Sequence, residues 1–202
     1  KHVPVQVQMA KGGRKEGTHR SRSFLFAVLG AITAQAFGRD RVSFHENGVV
    51  SLNLPPVSNV LATRATRTTH PQTLARFSGF FGKVFDGGIR VDNPFFWRTK
   101  RDVIETIARL GMSDQIAHTR SCADVHNQTK QHVHCGRCSQ CIDRRFAVLA
   151  AGAVGHDPEE AYKLDLLEGQ REDVRDREIA LSYVRNARAY EYMSPEHLEQ
   201  TF

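Results

Sequence analysis

The sequence predicts an α/β fold, in which a mainly parallel sheet carries helices on both faces and a helical tail follows at the C-terminus. Strand-like and helix-like segments alternate along the chain before Gly155, which is the order that a parallel sheet with crossover helices requires. Three regularly spaced cysteines then lead into one more apolar helix, so a zinc-binding element is expected beside the sheet. After Gly155 the segments become polar and charged, and the expected domains are therefore 1–155 and 156–202.

The first predicted elements follow from hydrophobic periodicity. Residues 3–9, VPVQVQM, alternate apolar and polar side chains and predict a half-buried strand. The segment RSFLFAVLGAITAQAFG is apolar nearly all round, which predicts a buried helix that ends at Gly38. Two short apolar runs flank Asn47-Gly48, a dipeptide that predicts a tight turn.

The later elements carry clearer end signals. The segment PQTLARFSGFFGKVF predicts a helix, and GGIRVDNPFF predicts a short strand and a turn. The segment TKRDVIETIARLG has the spacing of an amphipathic helix, with Thr99 as its N-cap. The segment IAHTRSC is interpreted as a strand that ends at Cys122. In the last apolar helix we expect that the adjacent cations Arg144 and Arg145 are not both buried.

Composition limits the class of protein. The chain has 202 residues, 40% of them apolar, which is enough to bury a core. Its formal charge of +6 favours anionic partners such as nucleotides or nucleic acid. No apolar run reaches the length of a membrane span. Four cysteines without a secretory leader indicate a reducing compartment, so we expect a cytoplasmic protein with no membrane contact.

The cysteine cluster is the most specific motif. Cys135, Cys138 and Cys141 form a C-x2-C-x2-C pattern, in which closely spaced thiolates can share one tetrahedral zinc ion. Cys122, thirteen residues upstream, is the leading candidate for the fourth ligand. Three histidines between these cysteines could take its place: His126, His132 and His134. An iron–sulfur cluster, a redox pair or free thiols are the alternatives to zinc.

Several segments together resemble one known family. The pattern C-G-x-C-x-x-C-x-x-R, leading into a helix, is similar to the zinc-binding end of the 7-cyano-7-deazaguanine synthase (QueC) family. THRSRSFLFAVLGAITAQAFG and TKRDVIETIARLGM are similar to the family's arginine-containing loop and its Thr-Lys helix. ENGVVSLNLPP and RATRTTHP resemble the QueC-like proteins of anti-phage operons, the QatC type. The resemblance covers roughly residues 3–152.

The resemblance implies a fold, a reaction and partners. It implies a nucleotide α-hydrolase fold of the PP-loop kind that uses ATP with magnesium. ATP activates the carboxylate of a 7-carboxy-7-deazaguanine-type substrate, and a nitrogen nucleophile then displaces the activating group, as in queuosine biosynthesis. In a defence system the acceptor would differ, and protein partners would come from the same operon.

The PP-loop motif itself, S-G-G-x-D-S, does not occur in this sequence. Residues 86–92, DGGIRVD, contain two glycines but neither serine, and are read as a turn. Such a loop would bind pyrophosphate with its backbone N–H groups at a helix N-terminus. We therefore expect this chain to be the C-terminal portion of a longer protein.

Four further residues are expected to contact ligands. Arg20 and Arg22 open the first apolar helix, where cations are unfavourable unless they bind an anion such as nucleotide phosphate. Glu46 and Asn47 follow a strand-like run, and could hydrogen-bond a deazaguanine edge. The resemblance adds Lys100 to the substrate pocket. The alternatives are a surface loop for the arginines, a solvated turn at Glu46 and a solvated lysine.

Two other functions fit parts of the pattern. A zinc-stabilised nucleic-acid-binding module would use the basic charge, but the arginines are dispersed and no stacking aromatic residues stand among them. A non-catalytic scaffold could bind a partner through the tail at 156–202. The enzyme hypothesis is preferred because it explains the cysteine block and the Glu-Asn-Gly block together.

Overall fold

The computed structural model describes residues 2–8, 22–52, 68–124 and 128–194. These residues form two compact units, divided between Phe96 and Trp97. Both units contain helices, and the described strands form one two-stranded parallel sheet in the first unit. The predicted boundary between 1–155 and 156–202 remains a prediction, and the described residues after 155 lie in the same unit as the cysteine cluster.

The first unit is built on a short parallel strand pair. Its elements are α1 (Arg22–Ala36), β1 (Arg41–Ser43), α2 (Gly48–Leu52), α3 (Pro71–Val84) and β2 (Arg90–Asp92). In the register of the pair, Val42 lies opposite Val91. Among the described residues, the core joins α1, α3 and the chain at β2 through six buried residues: Ala27, Ala31, Leu74, Phe81, Ile89 and Val91. The sheet is thus small, and it confirms the parallel pairing that the alternation of elements predicts.

Helix α1 is less buried than its sequence suggests. Ala27 and Ala31 face the core, and Gly30 lies so close to β1 that an added Cβ would be 2.9 Å from a methyl carbon of Val42. Phe26 and Ile32 are exposed, so the prediction of a helix buried all round is wrong. Within the described residues only one side of α1 has a packing partner.

Two local predictions in the first unit are also wrong. Residues 2–8 form no strand, and their alternating valines are about half exposed, because β1 and β2 pair only with each other among the described segments. Asn47 does not form a turn between two strands. It begins α2 instead, where its Oδ1 accepts a hydrogen bond from the Val50 N–H at 3.2 Å.

The second unit is helical. Its elements are α4 (Lys100–Arg109), α5 (Asp114–His118), α6 (Ser139–Ala150), 3₁₀ turns at Val154–His156 and Glu159–Ala161, and α7 (Val174–Glu191). Thr99 caps α4 as predicted, and Asp102 completes a reciprocal capping box. The predicted strand at 116–122 is wrong, since α5 ends at His118 and irregular chain continues to Cys122. No helix among the described residues is long and apolar enough to cross a membrane.

The expectation that Arg144 and Arg145 cannot both be buried is wrong. Each is 3% exposed, because the segment after Gly155 supplies their partners. Arg144 Nε donates to Asp157 Oδ1 at 2.7 Å, and Arg145 donates to the Asp157 carbonyl oxygen at 2.7 Å and to Glu159. Buried cations are tolerated when they are paired and hydrogen-bonded in this way.

Candidate metal centre

The four cysteines converge on one point of the second unit. Their Sγ atoms all lie within 4.8 Å of one another. The sulfur of Cys141 is 3.9 Å from that of Cys135 and 3.4 Å from that of Cys138. A tetrahedral zinc ion with Zn–S bonds of about 2.3 Å separates its sulfurs by about 3.8 Å. The donor set therefore fits a single zinc ion, with Cys122 as the fourth ligand.

Backbone N–H groups surround these sulfurs. The N–H of Cys135 donates to Cys122 Sγ at 3.4 Å. The N–H groups of Arg137 and Cys138 donate to Cys135 Sγ at 3.5 Å and 3.4 Å. Such donors stabilise the thiolate form, which is the form that binds metal. The turn is thus built to hold negative sulfur atoms.

Gly136 is required by the shape of this turn. Its φ angle is +77°, a conformation that residues with a Cβ rarely adopt. An added Cβ would lie 1.9 Å from the carbonyl oxygen of Leu164. The close contact between the turn and the chain around Leu164 is therefore possible only with glycine.

Helix α6 supplies the other two sulfurs. Cys138 occupies its N-cap position and Cys141 lies in its first turn. This spacing places both thiols at the N-terminal end, where the helix dipole favours negative charge. The apolar side of the same helix packs Ala147 and Val148 against Ile104 and Ile116, so the metal site is anchored to the core of the unit.

The thiols are electrostatically coupled. Hydrogen bonding with Cys135, and then with Cys141, lowers the pKa of Cys138. Hydrogen bonding with Cys138 raises the pKa of Cys135 to about 11, and hydrogen bonding with Cys135 raises the pKa of Cys141. Of Cys135, Cys138 and Cys141, Cys138 is thus the one most easily deprotonated. A bound cation would replace the shared protons.

Of the histidine alternatives, the two that the structure describes, His132 and His134, do not join the sulfur group. His134 is buried, and its ring centroid is 4.8 Å from that of Tyr162. Its Nδ1 has no hydrogen-bond partner in the part of the chain that the structure describes. Burial, followed by the charge of Arg144, lowers the pKa of His134 to about 4. His132 is half-buried but lies outside the sulfur group, and His126 lies outside the described residues. Among the described residues, the cysteines alone form a group that can share a metal ion.

The compact spacing also bears on the kind of metal centre. In a polynuclear iron–sulfur cluster, several iron and sulfide ions separate the cysteine ligands. Four sulfurs within 4.8 Å of one another leave room for one ion between them. The arrangement favours a closed four-thiolate site, in which no ligand position remains for water.

The chain after residue 155 contacts the turn at residues 135–138, which carries two of the cysteines. Arg171 donates to the carbonyl oxygens of Gly136 at 3.3 Å and Arg137 at 3.4 Å. Arg137 forms an ion pair with Asp176 of α7, at an N–O distance of 3.5 Å. The polar tail predicted from the sequence is therefore part of the surroundings of this turn.

Lys100 lies in a largely buried polar group of the second unit. Its Nζ donates to Gln140 Oε1 at 3.4 Å and is 4.0 Å from Asp143 Oδ2. The Tyr183 hydroxyl of α7 lies 2.8 Å from Asp143 Oδ1. Burial lowers the pKa of Lys100 and raises the pKa of Asp143. Lys100 is therefore not a solvated first-turn lysine.

Glu46 lies in the first unit, just beyond the carboxyl end of β1. Its Oε2 accepts a hydrogen bond from the Thr69 hydroxyl at 2.5 Å. Its backbone carbonyl accepts one from Asn93 Nδ2 at 2.7 Å, and Asn93 follows β2 directly. The segments that follow the two parallel strands thus meet at Glu46, at the end of the sheet where open α/β sheets arrange their ligand sites.

The remaining predicted site residues have separate positions. Asn47 is buried beside Glu46, and its side-chain oxygen caps α2. Arg22 is exposed at the start of α1, and Arg20 lies outside the described residues. Sequence reasoning missed Ser51, Asn93 and several buried partners in the second unit. Of these residues, only Asn93 could have been identified from the sequence, since it directly follows a predicted strand.

Comparison with known proteins finds a match to one protein family over part of the chain. The model described as "Queuosine biosynthesis protein QueC" matches residues 61–152, which include Thr69, Lys100 and all four cysteines. The 7-cyano-7-deazaguanine synthase of Methanocaldococcus jannaschii is 28% identical over 91 residues, which are 42% of this chain and 38% of that protein. The chain thus spans well under half of that relative's length. No solved structure matches.

These matches support the resemblance to the QueC family. Because both are confined to less than half of the chain, they bear only on its middle segment. Glu46 and α7 lie outside residues 61–152.

Proposed function

We propose that this chain provides substrate recognition and a structural zinc centre to an ATP-dependent C–N ligase of the QueC type. The substrate is a 7-deazaguanine with a carboxylate, which ATP activates for attack by a nitrogen nucleophile. The observation that carries the proposal is the compact four-cysteine site within the segment that matches the QueC family model.

The residue proposed to bind the base is Glu46. A carboxylate accepts hydrogen bonds from two adjacent N–H groups, which is what the ring N–H and exocyclic amine of a guanine-type base offer. One carboxylate oxygen is held by Thr69, and in the described part of the chain the other makes no hydrogen bond. Asn47 and Lys100 stay predicted substrate contacts, the latter suited to an anionic substituent because it is a buried cation.

The zinc centre is proposed to be structural. Four thiolate ligands leave no position for water or substrate, so bound zinc would supply a cross-link between the chain at Cys122 and helix α6. Cys135 and Cys138 would hold the intervening turn in place. In this role the metal determines whether the second unit keeps its fold.

The finer assignments stay part of the proposal. Use of ATP with magnesium, phosphate binding by Arg20 and Arg22, a cytoplasmic location and an anti-phage role of the QatC type rest on the sequence resemblance. Protein partners from the same operon belong with that role. The match to the QueC family model supports the small-molecule reaction more directly than the defence role.

The test is ligand binding by the 202-residue chain, measured by isothermal titration calorimetry with 7-carboxy-7-deazaguanine. The substitution Glu46→Gln should weaken binding by about tenfold or more, because it removes a charged hydrogen-bond acceptor. The control Glu160→Gln changes an exposed carboxylate and should leave affinity unchanged. Equal affinity of Glu46→Gln and the unchanged chain would overturn the role of Glu46.

A further inference from the structure

We propose that Thr69 is a positioning residue that orients the Glu46 carboxylate, with Ser51 and Asn93 supporting it from behind. The inference rests on the proposed role of Glu46 in base recognition and deepens it. It assigns to three buried or half-buried polar residues the task of making Glu46 an acceptor for a ligand that offers N–H groups.

The contact between Thr69 and Glu46 is direct. Thr69 is 1% exposed, and its Oγ1 donates to Glu46 Oε2 at 2.5 Å. A hydrogen bond from a neutral hydroxyl to a carboxylate is short and stronger than one between neutral groups. It fixes one oxygen of a side chain that is itself only half-buried.

Behind Thr69 lies a second hydroxyl. Ser51, also 1% exposed, places its Oγ 3.3 Å from Thr69 Oγ1 and 3.4 Å from the Glu46 carbonyl oxygen. Asn93 Nδ2 donates to Ser51 Oγ at 2.8 Å and to the Glu46 carbonyl oxygen at 2.7 Å. The network thus joins three separate parts of the first unit around one glutamate.

The available protons determine which group donates and which accepts in each hydrogen bond of the network. The Asn93 amide has two N–H groups, and both are used, while its Oδ1 accepts from the Phe95 N–H at 2.9 Å. Ser51 accepts from Asn93, so its own proton is directed to Thr69 or to the Glu46 carbonyl. Thr69 has one proton and gives it to Glu46. Every donor points towards Glu46.

This direction determines the chemistry that Glu46 can recognise. The network supplies protons and takes none from the carboxylate, so the carboxylate is held as an acceptor. In the described residues, the oxygen not held by Thr69 is left for a ligand. The complementary ligand presents adjacent N–H donors, as in an amidine, a guanidine or the ring N–H and exocyclic amine of a guanine base.

The experiment measures base preference. Two probes are used: 7-carboxy-7-deazaguanine and its analogue without the exocyclic amine. We expect the unchanged chain to prefer the first by about tenfold or more. Thr69→Val keeps the shape but removes the hydroxyl and should reduce the preference to about threefold or less, whereas Thr69→Ser should retain it. Thr33→Val, which removes a local hydroxyl contact in α1, is the matched control.

A double-mutant comparison separates positioning from general stability. If Thr69 acts through Glu46, Thr69→Val should cause no further loss of preference in a Glu46→Gln background. A merely structural role would weaken binding of both probes equally in either background. If Thr69→Val fails to fold, the variant Ser51→Ala is used in its place. It should lower the preference by about threefold, and an unchanged preference would refute the network.

The outcomes distinguish the inference from the function on which it rests. A chain that binds neither probe, or binds both equally, overturns the proposed recognition by Glu46. A chain that prefers the guanine-type probe, and keeps that preference in Thr69→Val, leaves the proposed function standing and overturns the positioning role of Thr69.

Discussion

Asp157 is expected to be one of the most sensitive positions in the second unit. It is 1% exposed, and its two carboxylate oxygens accept from Arg144 Nε at 2.7 Å and from the Tyr162 hydroxyl at 2.8 Å. Arg145 Nη1 lies 3.6 Å from the second oxygen. Asp157→Ala would leave two buried guanidinium groups without their central anion, and should lower the free energy of unfolding by about 3–5 kcal/mol.

The assay is equilibrium urea unfolding of the zinc-loaded chain, followed by circular dichroism. Asp114→Ala is the matched control, because the Asp114 side chain is 92% exposed and its loss should change the free energy of unfolding by less than about 0.5 kcal/mol. A loss of less than about 1 kcal/mol in Asp157→Ala would refute the reasoning, since it would mean that the arginines do not depend on this carboxylate.

The variant Asp157→Asn separates charge from hydrogen bonding. The amide keeps an oxygen for Arg144 but removes the negative charge that compensates two buried cations. We therefore expect a loss of stability smaller than that of Asp157→Ala but well above that of the Asp114 control. Equal losses in Asn and Ala variants would show that charge alone matters.

Three further predictions concern the metal centre and α4. Elemental analysis should find about one zinc ion per chain, and Cys141→Ser should bind less zinc and unfold at a lower temperature. A folded chain that contains no metal would contradict the proposed zinc centre. Gly136→Ala should lower the free energy of unfolding by about 2 kcal/mol or more in the urea assay, because of its positive φ and the Leu164 contact, and an unchanged stability would contradict both. The backbone N–H of Thr99 lowers the pKa of Asp102 below its ordinary value of 3.8. The stability that this cap contributes should therefore be present above the ordinary pKa, and it should be lost as the pH falls through the lower pKa of Asp102 in the folded protein. NMR titration measures this, and an ordinary pKa would contradict the cap.

The elements that could be predicted from sequence are those determined by neighbouring residues. The α4 helix has its apolar spacing and its cap within one short segment, and Thr99 was identified as that cap. Strand β2 lies between turn residues, and α3 begins at Pro71, both of which are local signals. The cysteine site was recognised for the same reason, because three of its ligands are separated by only two residues.

The features that could not be predicted depend on contacts between distant segments. Nothing near Arg144 in the sequence reveals that Asp157 accepts its hydrogen bond, because the intervening chain reads as the start of a polar tail. The sequence predicts a strand where the short helix α5 forms, since a few apolar residues fit either period. The hydroxyl network at Glu46 likewise depends on the parallel pairing that brings Asn93 beside it.

The contacts of Arg171 and Asp176 with the turn at residues 135–138 bear on how the protein is degraded. Any change that loosens that turn, such as removal of a zinc ion bound by the cysteines, would also release the contacts that hold α7. Because ligand binding to the folded form adds to its stability, zinc should protect the C-terminal helix from protease cleavage. Without metal, α7 would then be more accessible to proteases.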